Sequence, residues 1–530
     1  MSEPPPPDSK RPGRRARFLQ AFLASVLGTG LSRVMGLVRD QVIAYFLGAG
    51  AMSDAFFMAF TVPNVFRRFV ADEGLTGALI PELTKAEAED PESAKKLANS
   101  VFTALILANI ALCVAGIFGA EWLVMLFAYS YLDDPAKFEL TVSMTRWLFP
   151  FVAMVSLVSF FEGILNFRGH FFVPKLAPAL VSAGIASSAV LLGTSFEQPV
   201  YALVVGVLVG GVAHVLINLP WVWSLWGPVG LSFDFANPRF RFLLKELGKV
   251  ILIGIFAQIN IIVLRQLAAA LQDGAVTHYW YANRLVDLFQ GVIAVAIGSA
   301  LLPNVSQAVA SQDWEQFRND LVGALRLAAF LLFPAAAVLL TFATPLTSIL
   351  FRYGEFSWED VLETSAALRL LVPFMLSVAG ANILKKVYFA LDDRVTLLGI
   401  GGVGVALTAG LGIALVGPLG VGGLALALSI STTVQLSAYV AILRRRLGAD
   451  LGLDALADPL ARMGASAIPV GVLLWLMSGL GRWENGPADP TNVAVIAGGL
   501  LGAGLIYAIS AKLMGIAELD AVWRRIRRRF

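Results

Sequence analysis

Long apolar stretches, each about as long as a bilayer is thick, follow one another along the chain and are separated by short polar connections. A transmembrane helix needs about 20 mostly apolar residues, and runs of this length favour helices over strands. The pattern therefore predicts about fourteen transmembrane helices with no soluble domain between them. The predicted spans are residues 18–43, 51–73, 98–124, 140–165, 174–194, 199–224, 247–271, 276–301, 322–350, 363–389, 396–416, 419–442, 463–480 and 491–513.

Composition supports a membrane protein. Of the 530 residues, 57% are apolar and only 15% are charged, whereas a soluble domain carries about 25% charged residues. So few charges cannot cover a water-facing surface, which excludes a soluble or disordered protein. We predict an all-α polytopic membrane protein.

The basic residues indicate the orientation of the spans. Lysine and arginine occur in nearly every connection on the side of the N-terminus, whereas the opposite side holds only Lys137, Arg352 and Arg482. Cytoplasmic loops carry the excess of basic residues, so we expect both termini in the cytoplasm. Residues 1–17 are predicted to be a disordered basic tail, and residues 516–530 a basic cytoplasmic tail that binds anionic lipid rather than nucleic acid.

The chain contains an internal repeat. An arginine, a Gly-Ala pair, an aromatic pair and an Ala-Leu-x-Pro segment recur in the same order at offsets of 226, 224 and 222 residues. The first copy is Arg39, Gly50-Ala51, Phe56-Phe57 and Ala78–Pro81, and the second is Arg265, Gly274-Ala275, Trp280-Tyr281 and Ala300–Pro303.

The copies fall on spans 1–2 and 7–8, six spans apart, so they have the same orientation in the membrane. A parallel repeat of this kind is found in transporters. We predict an N-terminal lobe of spans 1–6 (residues 18–230), a second lobe of spans 7–12 (residues 231–450) and two added helices, spans 13–14 (residues 451–515). The substrate path is expected between the two six-helix lobes.

Charged residues within the spans are concentrated in the repeated elements. A charge at the bilayer centre costs at least about 2.5–3.5 kcal/mol, so each needs a reason. In span 1, Ser32, Gly36 and Arg39 share one helical face. We therefore predict a cationic cavity whose planar guanidinium groups suit a diphosphate. Its candidate arginines are Arg33, Arg39, Arg67 and Arg284; the alternative is that they pair with Asp40, Asp54 and Asp287 and merely join the spans.

Other polar residues carry less information. Arg146 and Arg265 are isolated within their spans, and their roles stay open. His278 is expected at a solvated interface. With one cysteine, three scattered histidines and no catalytic triad or phosphate loop, the sequence predicts no catalytic residues, no metal site and no cofactor.

Three segments resemble the MurJ (MviN) lipid II flippases, a family related to the multidrug and toxic compound extruders. The first is Ser32–Asp40 (SRVMGLVRD), and the second is Ser53–Phe60 (SDAFFMAF) followed by Val62–Arg68 (VPNVFRR). The third is Tyr281–Asp287 (YANRLVD). Fourteen spans, with the last two outside the double six-helix core, also fit the family.

The resemblance implies a transporter that moves lipid II from the inner to the outer leaflet of the bacterial cytoplasmic membrane by alternating access. It implies that the four arginines hold the diphosphate, that Ser32 and Thr277 line the cavity and that Asp54 helps to gate the lobes. Asp40 and Asp287 would balance charge. Besides lipid II and membrane lipids, cell-wall synthesis and division proteins are expected as partners. No sodium site is expected, because spans 11 and 12 contain no carboxylate.

Three other functions are compatible with parts of the pattern. A flippase for another polyprenyl-diphosphate-linked saccharide would use the same arginines. A multidrug exporter would line its cavity with acidic and aromatic residues, and a non-transporting scaffold for cell-wall enzymes would not need buried charge.

Overall fold

The computed structural model describes residues 14–70, 73–298, 301–447 and 451–520, and within these ranges the secondary structure is helical, with no strand. The predicted basic tails lie mainly outside the described residues. The side chains of Arg67 and of Leu301, Leu302 and Pro303 in the repeat also lie outside them.

The first copy of the repeat and its connections form ten helices. These are α1 (Arg14–Leu47), α2 (Ala51–Val70), α3 (Glu73–Glu89), α4 (Pro91–Phe118), α5 (Ala120–Phe127), α6 (Pro135–Leu148), α7 (Pro150–Phe167), α8 (Phe172–Leu176), α9 (Pro178–Leu192) and α10 (Val200–Leu225). A short 3-10 helix, Tyr129–Asp133, connects α5 to α6.

The second copy forms eight helices, because single helices stand where α6 with α7 and α8 with α9 form two spans of the first copy. It consists of α11 (Pro238–Ala269), α12 (Ala275–Gly298), α13 (Leu301–Ala310), α14 (Trp314–Thr341), α15 (Ala343–Phe351), α16 (Trp358–Ala390), α17 (Arg394–Leu419) and α18 (Val421–Leu447). The two added spans are α19 (Ala457–Ser478) and α20 (Pro490–Leu513), with 3-10 helices at Asp454–Leu456 and Trp483–Ala488.

The order of long and short helices supports the internal repeat. In each copy a long helix is followed by a glycine turn, a second helix and a helix that contains the repeated proline, α3 or α13. A long helix and a helix of only eight or nine residues come next, α4 with α5 and α14 with α15. The proposed boundary at residues 230 and 231 falls in the connection between α10 and α11, and the lobe boundaries stay a prediction.

The helices confirm the membrane class of the chain. Among the described residues, ten helical segments are long and apolar enough to cross a bilayer, and the bent α11 makes an eleventh if it counts as one span. The remaining predicted spans correspond to α1, α2 and α12. These three helices carry most of the charged residues that lie well inside the predicted spans.

Helix ends are fixed by local side chains. Ser357 and Asp360 form a capping box at the start of α16, in which each side chain accepts a hydrogen bond from the other residue's N–H. Asp393 caps α17 and Asp489 caps α20, and in each case the aspartate side chain accepts a hydrogen bond from an N–H in the first turn. Backbone hydrogen bonds to Thr491 hold the pKa of the Asp489 carboxyl below its usual value.

The chain divides into two compact units. The first contains residues up to Arg39 with Pro63–Phe118 and Trp147–Ile251. Its core lies among α3, α4, α7 and α10, around the buried residues Leu79, Leu97, Phe160, Ile164 and Trp226.

The second unit contains Asp40–Val62, Gly119–Arg146 and the chain from Leu252 onward. In it, the two added spans pack against α14 and α15 around Phe342, Val470, Leu474, Trp483 and Tyr507. The Tyr507 hydroxyl donates to the carbonyl of Phe330 across this core.

Helices α9 and α10 of the first unit approach so closely that only glycine fits between them. A Cβ at Gly206 would lie 2.6 Å from the Cα of Ile185 and 2.7 Å from the carbonyl oxygen of Gly184. Small residues let helices in lipid pack backbone to backbone, which supplies van der Waals contact where the hydrophobic effect supplies none.

We expect Gly206→Ala to destabilise the protein by about 1–3 kcal/mol, because the added methyl group overpacks this contact. The measurement is the midpoint of thermal unfolding in detergent. The matched control is Gly410→Ala in α17, where a Cβ meets no atom within 4 Å, so this variant should unfold at the wild-type midpoint or slightly above it. Equal midpoints for both variants would contradict the packing account.

Candidate functional site

A fully buried carboxylate in α2 binds the N-terminus of α12. Asp54 is 1% exposed. Its Oδ2 accepts from the Gly274 N–H at 2.8 Å, and its Oδ1 accepts from the N–H of Thr277 at 2.9 Å and from the Thr277 hydroxyl at 2.7 Å. The first N–H groups of a helix have no partner within the helix and carry partial positive charge, so a carboxylate placed there is stabilised.

Glycine and serine shape the backbone around this cap. Gly274 has a φ of +92°, a conformation that a side chain disfavours. The Ser53 hydroxyl bonds to the N–H and carbonyl of Gly50, and Thr277 reaches Ser53 at 3.1 Å. Thr277 is therefore fully buried in this contact, and its predicted role in lining a cavity stays a prediction.

A lysine brings a countercharge to Asp54. Lys137, in the first turn of α6, is 7% exposed and places its Nζ 2.6 Å from Asp273 and 3.4 Å from Asp54. The same ammonium lies 4.4 Å from the centre of the Tyr131 ring. Sequence analysis missed this site because it assigned Lys137 to an external connection. The available sequence signal was the adjacent Asp-Asp-Pro turn, which marks the start of α6 at Pro135 and so places Lys137 in its first turn.

Burial raises the pKa of Tyr131 well above its ordinary value, and the negative charges of Asp54 and Asp273 raise it further. Tyr131 lies in the connection before α6, and its hydroxyl stays protonated across the physiological range. Its aromatic face interacts with the Lys137 ammonium.

The repeated aromatic pairs pack against each other beside this cluster. Phe57 of the first copy stacks on Trp280 of the second at 4.7 Å and meets the edge of Tyr281 at 5.6 Å. Tyr281 also stacks on Phe351 at 4.5 Å. Arg265 is 7% exposed and its guanidinium lies 5.2 Å from the Trp280 ring, so an aromatic face stabilises its charge.

A second buried carboxylate pairs with an arginine of α12. Asp40 in α1 is fully buried, and its Oδ2 lies 2.8 Å from the Nε of Arg284. A buried charge of this kind requires a countercharge, since removing one partner leaves the other uncompensated. Spacing along α12 places Asp287 one helical turn after Arg284, and Asp287 accepts a hydrogen bond from Asn283 at 3.2 Å. Arg284 thus makes one of the internal pairs that sequence analysis gave as the alternative to substrate binding.

The other predicted site residues lie in the first compact unit. Ser32, Arg33 and Arg39 are half-buried in α1. Arg67 is in α2, and its side chain lies outside the described residues. The convergence of the four arginines therefore stays a prediction.

The structure gives partners to two further polar residues. Arg146 forms an exposed ion pair with Glu121 at 2.7 Å, and its role stays open. The expectation of a solvated His278 was wrong: His278 is 4% exposed, and its Nε2 lies 3.0 Å from Asp360 in the capping box of α16. Within the described ranges, no group of three or more His, Cys, Asp or Glu side chains is arranged to hold a metal ion.

A main-chain contact joins the turn after α1 to the turn before α16. The N–H of Glu355 donates to the carbonyl of Tyr45 at 3.1 Å. Gly48 and Gly354 beside it have φ values of +57° and +51°. A Cβ on Gly48 would lie 2.5 Å from the Glu355 carbonyl oxygen. Both glycines are therefore required for the two turns to meet.

Comparison with solved structures shows which fold the chain has. The chain is similar to "Lipid II flippase MurJ, inward closed conformation" with a TM-score of 0.74 and 19% identity, over 92% of this chain and 99% of that one. It is also similar to an inward-facing multidrug resistance MATE family transporter of the MOP superfamily, with a TM-score of 0.66 and 17% identity, over 80% of this chain and 98% of that one. The chain therefore shares its fold with both of these proteins.

Sequence comparison shows the family. The family model for the lipid II flippase MurJ matches residues 43–486. The chain is 33% identical to the lipid II flippase MurJ of Burkholderia cenocepacia over 79% of this chain and 82% of that protein. It is 30% identical to the probable lipid II flippase MurJ of Rhizobium meliloti over 95% and 96% of the two chains. The chain belongs to the lipid II flippase MurJ family, which confirms the resemblance seen in its span motifs.

The cap on α12 leads to a prediction. We expect Asp54→Ala to lower the free energy of unfolding by about 3 kcal/mol or more, because three buried donors and the Lys137 ammonium lose a partner. Thermal unfolding of the purified protein in detergent measures this effect.

The control is Glu121→Ala, which removes a carboxylate from the exposed pair with Arg146 and should change the midpoint little. If the two variants had the same midpoint of thermal unfolding, the buried cap would not contribute to stability as described.

Proposed function

We propose that this protein moves lipid II from the inner to the outer leaflet of the bacterial cytoplasmic membrane. The observation that carries this proposal is membership of the MurJ family over residues 43–486. Membership of the same family makes it a transporter rather than an enzyme.

The predicted substrate-binding residues suit the substrate's diphosphate. A guanidinium presents a planar fork of donors that matches phosphate oxygens, and it stays charged within a membrane. We propose that Arg33, Arg39, Arg67 and Arg284 hold the diphosphate region in a cationic cavity. We further propose that Ser32 and Thr277 contribute hydroxyl groups to it.

The buried acidic residues are proposed to control access rather than to bind substrate. Asp54 holds the start of α12, and Asp40 pairs with Arg284. Both carboxylates are buried, so water does not replace their partners. A path past Asp54 or Asp40 therefore opens only when that carboxylate separates from its partner. We propose that transport alternates between states in which these contacts are formed and broken, with Asp287 balancing charge beside Arg284.

We propose that both termini are cytoplasmic, which the basic connections and tails support. A fluorescent protein fused to the C-terminus should then be bright in cells, whereas alkaline phosphatase at the same position should be inactive. The reverse pattern would overturn the orientation. Cell-wall synthesis and division proteins remain proposed partners.

The transport proposal is tested in a strain depleted of its own flippase. Wild-type protein should restore growth and keep lipid II from accumulating in the inner leaflet. Arg39→Ala should abolish this rescue and Arg39→Lys should restore part of it, because lysine keeps the charge but loses the forked geometry. Lipid II exposed at the outer surface is the measured quantity, and membrane levels of each variant are compared by immunoblot.

Arg146→Ala is the matched control, because it removes a span arginine that pairs on the surface with Glu121. Full rescue by Arg39→Ala would refute the cationic site. Failure of the wild-type protein to expose lipid II, with another polyprenyl-diphosphate-linked saccharide exposed instead, would assign it the neighbouring substrate class.

A further inference from the structure

Lys137 is a countercharge of Asp54, and the proposed function gives it no part in transport. Of the three basic residues that sequence analysis placed on the external side, it is the one buried against two carboxylates. Its partners differ in exposure, since the side chain of Asp54 is 1% exposed and that of Asp273 is 60% exposed. A single ammonium thus lies between a buried and a solvent-facing negative charge.

The contacts of Lys137 converge on the atom that fixes α12. Its Nζ lies 3.4 Å from Oδ2 of Asp54, the oxygen that also accepts from Gly274. Asp273, its other partner, immediately precedes Gly274 in the turn before α12. Lys137 therefore contacts this turn in two ways. It pairs with Asp54, which caps the helix, and with Asp273, which is the residue before the capped N–H of Gly274.

The element that carries Lys137 is held in place on its own side as well. The Lys137 N–H donates to Asp134 at 3.1 Å, and its carbonyl accepts from the Thr141 hydroxyl at 2.7 Å. The Tyr131 ring lies against the ammonium. In the same unit, Gln266 of α11 donates to the carbonyls of Met125 and Leu126. Segment 119–146 is thus fastened to the second copy of the repeat at two separate points.

We propose that Lys137 is a positioning residue for transport. Its ammonium keeps Asp54 on the N-terminus of α12 and joins segments 40–62 and 119–146 to that helix in one closed arrangement. Without Lys137, Asp54 remains a buried charge with hydrogen-bond donors but no countercharge, and the arrangement that buries it becomes less favourable. The proposal rests on the proposed flippase function only for its consequence in transport.

The closed arrangement is measured by a disulfide at a contact that does not involve Lys137. Tyr45→Cys and Glu355→Cys are introduced into a Cys113→Ala background, because the main chains of residues 45 and 355 are hydrogen-bonded to each other. Oxidation of the full-length protein in membrane vesicles should give rapid crosslinking when Lys137 is present. Lys137→Met should slow crosslinking about tenfold or more, since a buried charge has lost its partner. Lys137→Arg should recover most of the rate.

Arg146→Met is the matched control, since it removes a cation from the same helix but from an exposed pair. It should crosslink at the reference rate. A Lys137→Met protein that keeps a cooperative melting transition and crosslinks at the reference rate would overturn the proposal.

A double-mutant cycle separates positioning from simple loss of packing. Asp54→Asn removes the charge that Lys137 balances, so the double variant Lys137→Met with Asp54→Asn should crosslink faster than the product of the two single effects predicts. Multiplicative effects of the two substitutions would mean that the charges are not coupled and would overturn the proposal.

Exposure of lipid II in the same vesicles distinguishes the two proposals. If Lys137→Met slows crosslinking but the wild-type protein moves no lipid II, the role of Lys137 stands and the proposed function fails. If the wild-type protein moves lipid II and Lys137→Met changes neither crosslinking nor transport, the role of Lys137 fails and the function stands.

Discussion

The interaction on which the site depends is the burial of the Asp54 carboxylate against the N-terminus of α12. A charge with 1% exposure persists only where its surroundings replace water almost completely. Two N–H groups and one hydroxyl supply that replacement. The backbone conformation that presents the first N–H, with a φ of +92°, explains the glycine at position 274, and the donating hydroxyl explains the threonine at position 277. The negative charge of Asp54 accounts for the buried position of Lys137.

The same requirement gives the site a two-state character. If Asp54 separated only partly from α12, the carboxylate and its donors would lose their hydrogen bonds without gaining water. Such intermediate arrangements are less stable than a fully formed cluster or a fully hydrated one. Packed elements of this kind change between discrete arrangements rather than deforming continuously. In the transport cycle proposed for this member of the lipid II flippase MurJ family, such a contact would favour distinct states over intermediate ones.

Much of the fold could be predicted from sequence, because apolar length and charge placement report directly on the membrane. The repeat identified the elements that carry the buried charges, and its aromatic pairs do pack together, as Phe57 and Trp280 show. The partners of the charges could not be predicted in this way. Helical periodicity gives the face on which Arg284 lies but not its partner, and Asp40 is more than two hundred positions away in the chain. The burial of Lys137 and His278 was missed for the same reason, since each depends on a distant element.

The contact between Tyr45 and Glu355 has a consequence for how this protein tolerates change. Because the contact is made by main-chain atoms, the identities of the two side chains are nearly irrelevant to it. Replacing either side chain therefore leaves the groups that form this hydrogen bond in place. Gly48 and Gly354 are the residues that specify this junction. They have no side chain to remove, so their importance becomes visible only when a side chain is added.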